Sequence, residues 1–139
     1  MDRLRQHIFL FDGFGAVASM VGTAYLLPTV QPWIGLSTSS LLLLAAPAAV
    51  FMTYSLSCWM LCVRVVPWLS VIMVGNLSYC AFVMLHLAHH VDVVTPPGWA
   101  YFIGEVAVIV GVLSIERRVL MQARGEEAAT HMAHTARST

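Results

Sequence analysis

The chain has 139 residues, of which 59% are apolar and 10% charged, with a mean hydropathy of +0.80. That balance leaves little material for a solvated globular domain. The formal net charge is zero and all seven basic residues are arginine, so there is no basic face for nucleic acid. Any activity has to lie within a membrane-embedded body, at its two faces, or in a partner.

Four apolar stretches make up most of the sequence, at about 8–28, 39–62, 67–86 and 97–115. At ~1.5 Å per residue each spans about 30 Å as a helix, the thickness of a hydrocarbon core. The first begins after Arg3 and Arg5. A basic start followed by an apolar run and Gly22-Thr23-Ala24 imitates a secretory leader, but Asp12 and Gly13 would sit in its apolar core. It therefore reads as a transmembrane helix, closed by Pro28 and Pro32. Ser37 to Ser40 offers capping hydroxyls for the second helix, and Pro47 inside it predicts a kink. Pro67 and Pro97 suit the first turns of the third and fourth helices. Residues 1–118 thus form one transmembrane unit, and 119–139 a short extension of the last helix with a frayed end.

Arginines set the expected orientation. Arg3 and Arg5 precede helix one, Arg64 lies between helices two and three, and Arg117, Arg118 and Arg124 follow helix four. The connections at 29–38 and 87–96 contain none. The positive-inside bias then puts both termini in the cytoplasm. The predicted fold is all-α: a polytopic four-helix antiparallel up-down bundle spanning a membrane.

Small residues suggest where helices meet. Gly15, Ser19 and Gly22 on helix one, and Ala100, Gly104, Ala107 and Gly111 on helix four, recur at three- or four-residue intervals. Such ridges allow close backbone approach in lipid, with ordinary packing within the bundle the favoured reading and a dimer interface the other.

Polar residues within the spans carry the functional signal. Asp12 lies about 6 Å inside the cytoplasmic boundary and Glu105 about 10 Å inside the outer one. A charge at mid-bilayer costs about 2.5–3.5 kcal/mol on the most lenient scale, so both should face the interior and be partnered or protonated. Asp12, Ser19 and Thr23 share one helical face, Glu105 and Glu116 another, Asn76 lies near Tyr79 and Cys80, and Tyr54 near Ser57 and Cys58. By depth, Ser19, Asn76, Tyr79 and Glu105 fall at mid-membrane with Tyr54 slightly below. Asp12, Arg64 and Glu116 fall toward the cytoplasm, which makes Arg64, Arg117 or Arg118 the expected partner of Asp12.

The candidate ligand- or proton-binding residues are therefore Asp12, Ser19, Tyr54, Asn76, Tyr79, Glu105 and Glu116. They serve either a functional pocket or a hydrogen-bonded network that only fixes the fold. His86, His89, His90 and Asp92 at the outer end have spacings that could gather a divalent metal such as Zn²⁺ or Cu²⁺, with an ordinary histidine-rich helix end as the alternative. No other cofactor is implied. Cys58 and Cys62 lie one turn apart and lack the two-residue spacing of a redox pair, so both, with Cys80, read as packing residues.

Several short runs bear a family likeness: Leu10-Phe11-Asp12-Gly13-Phe14-Gly15-Ala16, Tyr54 to Cys58, Asn76 to Cys80, and Gly98 through Tyr101-Phe102 to Glu105 and Glu116. In these the chain resembles a group of small uncharacterised bacterial membrane proteins. The resemblance implies a four-helix protein of the bacterial inner membrane and supplies no activity. Two functions fit the residues: binding or movement of a small cation, proton or amphiphile within the membrane, or a non-catalytic accessory subunit of a larger membrane complex. The partners these imply are the lipid bilayer and either further copies of the chain or that complex. Catalysis has little support, for no nucleophile, metal triad or nucleotide loop stands at workable spacing.

Overall fold

A computed structural model describes residues 2–61 and 65–137. The described residues are helical apart from short turns, and none forms a strand. Helix α1 is Asp2–Val21, widened by one π-helical turn at Gly22–Leu26 and continued by α2, Leu27–Thr29. A second short piece, α3, covers Gln31–Ile34, and the long helices α4, α5 and α6 cover Thr38–Met60, Val65–His89 and Pro96–Arg137. Four of these segments are long and apolar enough to cross a membrane: His7–Thr29, Thr38–Met60, Val66–His89 and Pro96–Glu126.

Local chemistry explains the boundaries. Pro28 lacks an N–H, so the continuous helix forgoes a backbone hydrogen bond there, and the π-helical turn stands just before it. Gly35 ends α3 with φ 87°, a left-handed cap, and a Cβ there would run into the Val93 carbonyl. That crowding arises because the two arginine-free connections are tied together: Thr95 donates its N–H to the Ile34 carbonyl at 3.1 Å and its hydroxyl to the Trp33 carbonyl. Ser37 caps α4 by accepting the Ser40 N–H at 3.2 Å. The helix runs unbroken past Pro47.

Beyond residue 118 the extension of the last helix is long: α6 continues to Arg137, and 42 residues at ~1.5 Å each make about 63 Å, twice a bilayer core. Ala128, Ala129 and Ala133 are strong helix formers with no proline or second glycine to stop them.

Helix α1 packs mainly on α4, and α5 on α6, while α1 and α6 touch sparingly. Two apolar clusters hold these pairs together. One gathers Leu41 and Leu44 of α4, Val83 and Leu87 of α5, and Phe102 of α6. The other gathers Phe9, Cys58, Leu69, Ile72 and Leu120, one or more from each spanning helix. Between the clusters, every spanning helix contributes a buried polar side chain: Asp12, Ser55, Asn76 and Glu116.

Candidate functional site

Two hydrogen-bonded knots and a cavity make up the interior. The first knot centres on Asp12, only 6% exposed. Its Oδ1 accepts the Asn76 amide at 2.7 Å and its Oδ2 accepts the Ser55 hydroxyl, so α1, α4 and α5 meet on one carboxylate. Each oxygen has a donor, which is how a carboxylate stays in a protein interior at tolerable cost.

The second knot centres on Glu105. Its Oε1 accepts the Ser19 hydroxyl and, at 3.1 Å, the Tyr79 hydroxyl, joining α1, α5 and α6. Ser19 and Tyr79 are themselves 3.4 Å apart. Oε2 of Glu105 is buried and has no hydrogen-bond partner. One turn outward, Tyr101 meets Thr23 at 3.4 Å. The bare Cα of Gly22 makes room, since a Cβ would occupy the position of the Tyr101 hydroxyl.

A cavity of about 280 Å³ lies between the knots. Asp12 and Asn76 bound one end, and Ser19, Tyr79, Tyr101 and Glu105 the other. The remaining wall is apolar or glycine, with Ala48, Phe51, Ile109 and Val112 among its members. Its lining residues from α4 and α5 are buried or half-buried. On α1 and α6, by contrast, Phe11 is 72% and Val108 66% exposed, and Gly15 and Gly104 are exposed with them. The cavity therefore opens along the α1–α6 seam. An added Cβ at Gly15, Gly104 or Gly111 would meet nothing within 4 Å. These three glycines do not draw helices together within this chain, whereas Ser19 and Gly22 of the same ridges do meet Glu105 and Tyr101 of α6; Gly15 and Gly104 line the cavity instead.

Five of the seven predicted residues, Asp12, Ser19, Asn76, Tyr79 and Glu105, line the cavity. Asn76 serves Asp12 rather than Glu105, a correction of about one turn in depth. Among the described residues the donors to Asp12 are two neutral side chains, Ser55 and Asn76; Arg117 and Arg118 are exposed, and Arg64 lies outside the described residues. Tyr54 does not belong to the site. It is half-buried in the cluster around Phe9, its ring 6.0 Å from that of Trp68. Glu116 is buried but does not line the cavity.

Ser55 and Tyr101 escaped the sequence reading. Ser55 continues the buried stripe Leu41, Leu44, Ala48, Cys58 on α4, and that spacing was the signal for it. Ser57, grouped with Tyr54 instead, is exposed and donates to the Thr53 carbonyl at 2.7 Å. Tyr101 stands four residues before Glu105, on the same helical face.

At the other end, His86 and His90 stack with ring centroids 4.4 Å apart, and Nδ1 of His90 engages the His86 carbonyl at 2.9 Å. His89 and Asp92 are exposed. Among the described residues no group of three or more His, Cys, Asp or Glu side chains is placed to hold a metal ion. The helix ends at His89, and Asp92 lies on the turn that follows. Cys58 and Cys80 are free and buried, while Cys62 lies outside the described residues. Comparison with protein-family models, curated proteins and solved structures finds no match for the chain, so the functional reading rests on the geometry of the site.

Proposed function

We propose that the protein is an intramembrane binding protein for a small amphiphile with a cationic head, which it takes up laterally from the bilayer. The carrying observation is a largely apolar cavity, open along the α1–α6 seam, with Glu105 at one end and Asp12 at the other. Apolar walls suit a hydrocarbon tail, and two carboxylates with no basic side chain among the described lining residues favour a cation over an anion. A bare inorganic cation fits less well, because hard cations need about six oxygen ligands and most of the wall offers none. A ligand dissolved in lipid would reach the mouth without crossing either aqueous face.

In this reading the four spans run alternately through a bacterial inner membrane, with both termini cytoplasmic. Arg3 and Arg5 ahead of the first span, Arg117, Arg118 and Arg124 beyond the apolar stretch of α6, and the absence of arginine from the two linked connections support that orientation. The alternating course and the host membrane rest on the sequence pattern and the family resemblance.

The test is calorimetry with hexylammonium on the purified protein in phosphatidylcholine nanodiscs, with hexanol as the neutral control. Saturable binding of the ammonium beyond its partitioning into empty discs is expected, weaker binding of the alcohol, and loss of the ammonium signal in a folded Glu105→Gln variant. Equal binding of both probes, or an unchanged signal in Glu105→Gln, contradicts the proposal.

A further inference from the structure

Glu116 has no part in the cavity, yet it is 0% exposed and neither of its carboxyl oxygens has a hydrogen-bond partner. It stands 11 residues beyond Glu105, about 16 Å further along α6, at the level where the inner apolar cluster begins. An isolated carboxylate is not stable in such a place: burying a charge without a partner costs far more than burying the neutral acid.

Its ionisable surroundings make this sharper. Contacts between the first span and α6 run from Thr23 with Tyr101 and Ser19 with Glu105 to Phe9 and Leu120 in one apolar cluster, so Asp12 of α1 stands level with Glu116. At this level α4 brings the Ser55 hydroxyl and α5 the Asn76 amide, both bonded to Asp12, and the Cys58 thiol lies in the inner cluster, none of them cationic at neutral pH. Arg117 and Arg118 are exposed, and Arg124, two turns on, is turned to Ser70 at 3.3 Å. His7 is exposed at the surface of α1. Among the described side chains, then, no cation bonds Glu116, while an anion stands at its level; those of Arg3, Arg5 and Arg64 lie outside what is described. The two carboxyls are also unequal: Asp12 has a donor on each oxygen and Glu116 has none. Two neighbouring carboxyls in one site do not both ionise cheaply, and the charge settles on the better-solvated one.

We infer that Glu116 is a proton-binding site, the Asp12–Glu116 pair holding one exchangeable proton that resides on Glu116. Asp12 is the link to the cavity, because it both lines the cavity and faces Glu116. A cation near Asp12 offsets part of the repulsion between the two carboxylates, so it favours release of the Glu116 proton, and by linkage the proton weakens cation binding by the same factor. This coupling rests on the proposed amphiphile site; the proton site itself does not.

Infrared difference spectroscopy during a pH titration in phosphatidylcholine vesicles separates the two. With carbon-13-labelled glutamate in the Glu105→Gln background, a protonated-carboxyl band is expected that shifts with the label and is lost on adding Glu116→Gln. Replacing Asp12 with Asn should shift its titration, since the neighbouring charge is gone. Absence of a glutamate band in the Glu105→Gln background, or a titration indifferent to Asp12→Asn, overturns the proton site even if Glu116→Gln does not fold. In protein with Glu105 intact, hexylammonium should diminish the Glu116 band at constant pH. A persistent band that the ammonium leaves unchanged overturns the coupling and leaves the proton site standing.

Discussion

Asp12 and Glu105 are both deep carboxyls, but they are held differently, and the difference sets their sensitivity to mutation. Asp12 is saturated by Ser55 and Asn76, so removing either donor leaves a buried carboxylate oxygen bare. Ser55→Ala and Asn76→Ala should each destabilise by about 1–3 kcal/mol. Ser57→Ala, two residues away and exposed, should stay within about 0.5 kcal/mol. Reversible unfolding in mixed micelles measures the contrast, and a neutral Ser55→Ala would contradict the assigned role of Ser55. Glu105 is half-satisfied, with Ser19 and Tyr79 on one oxygen only. Glu105→Gln should therefore preserve stability, its amide oxygen still accepting the two hydroxyls. Glu105→Ala should lose about 1–3 kcal/mol through the unpaired hydroxyls left behind.

At the scale of the helices, glycines with the same sequence signature do different work. Gly22 lies under the Tyr101 hydroxyl, in the π-helical turn. Gly22→Ala should push Tyr101 off Thr23 and cost about 1–3 kcal/mol, as overpacked sites do. Gly104→Ala meets open space, and a helical glycine replaced by alanine gains about 0.5–1 kcal/mol. Opposite signs in thermal unfolding are the expected outcome; equal destabilisation would mean that α1 and α6 are closed on each other. Sequence spacing alone could not separate these cases, because a small-residue ridge looks the same whether it faces a helix or an opening. It did place Asp12, Ser19 and Thr23 on one face, since helical angle depends only on residue number. Depth was less legible. The widened turn at Gly22–Leu26 and the register between helices moved Asn76 to the level of Asp12, and neither follows from a count along one helix.

For the whole molecule, the spans were legible because about 20 apolar residues in sequence have few other uses, and all four recur as helices long enough to cross a bilayer. The extent of α6 was not, since beyond the membrane its continuation depends on helix propensity rather than on hydropathy. Topology reporters at Gly35 and Asp92 should share one compartment, outside, and a reporter after Arg124 should read cytoplasmic. A C-terminus found outside would reverse the orientation.

The central claim is that the cavity between Asp12 and Glu105 holds a cationic amphiphile drawn from the membrane. Native mass spectrometry of the protein released directly from membrane vesicles of its host tests this with no choice of ligand made beforehand. The expected result is a small retained adduct that fragments as an amine or ammonium compound, present on the wild-type chain and absent from Glu105→Gln. An adduct retained equally by Glu105→Gln, or a wild-type chain that carries only phospholipid, would contradict it.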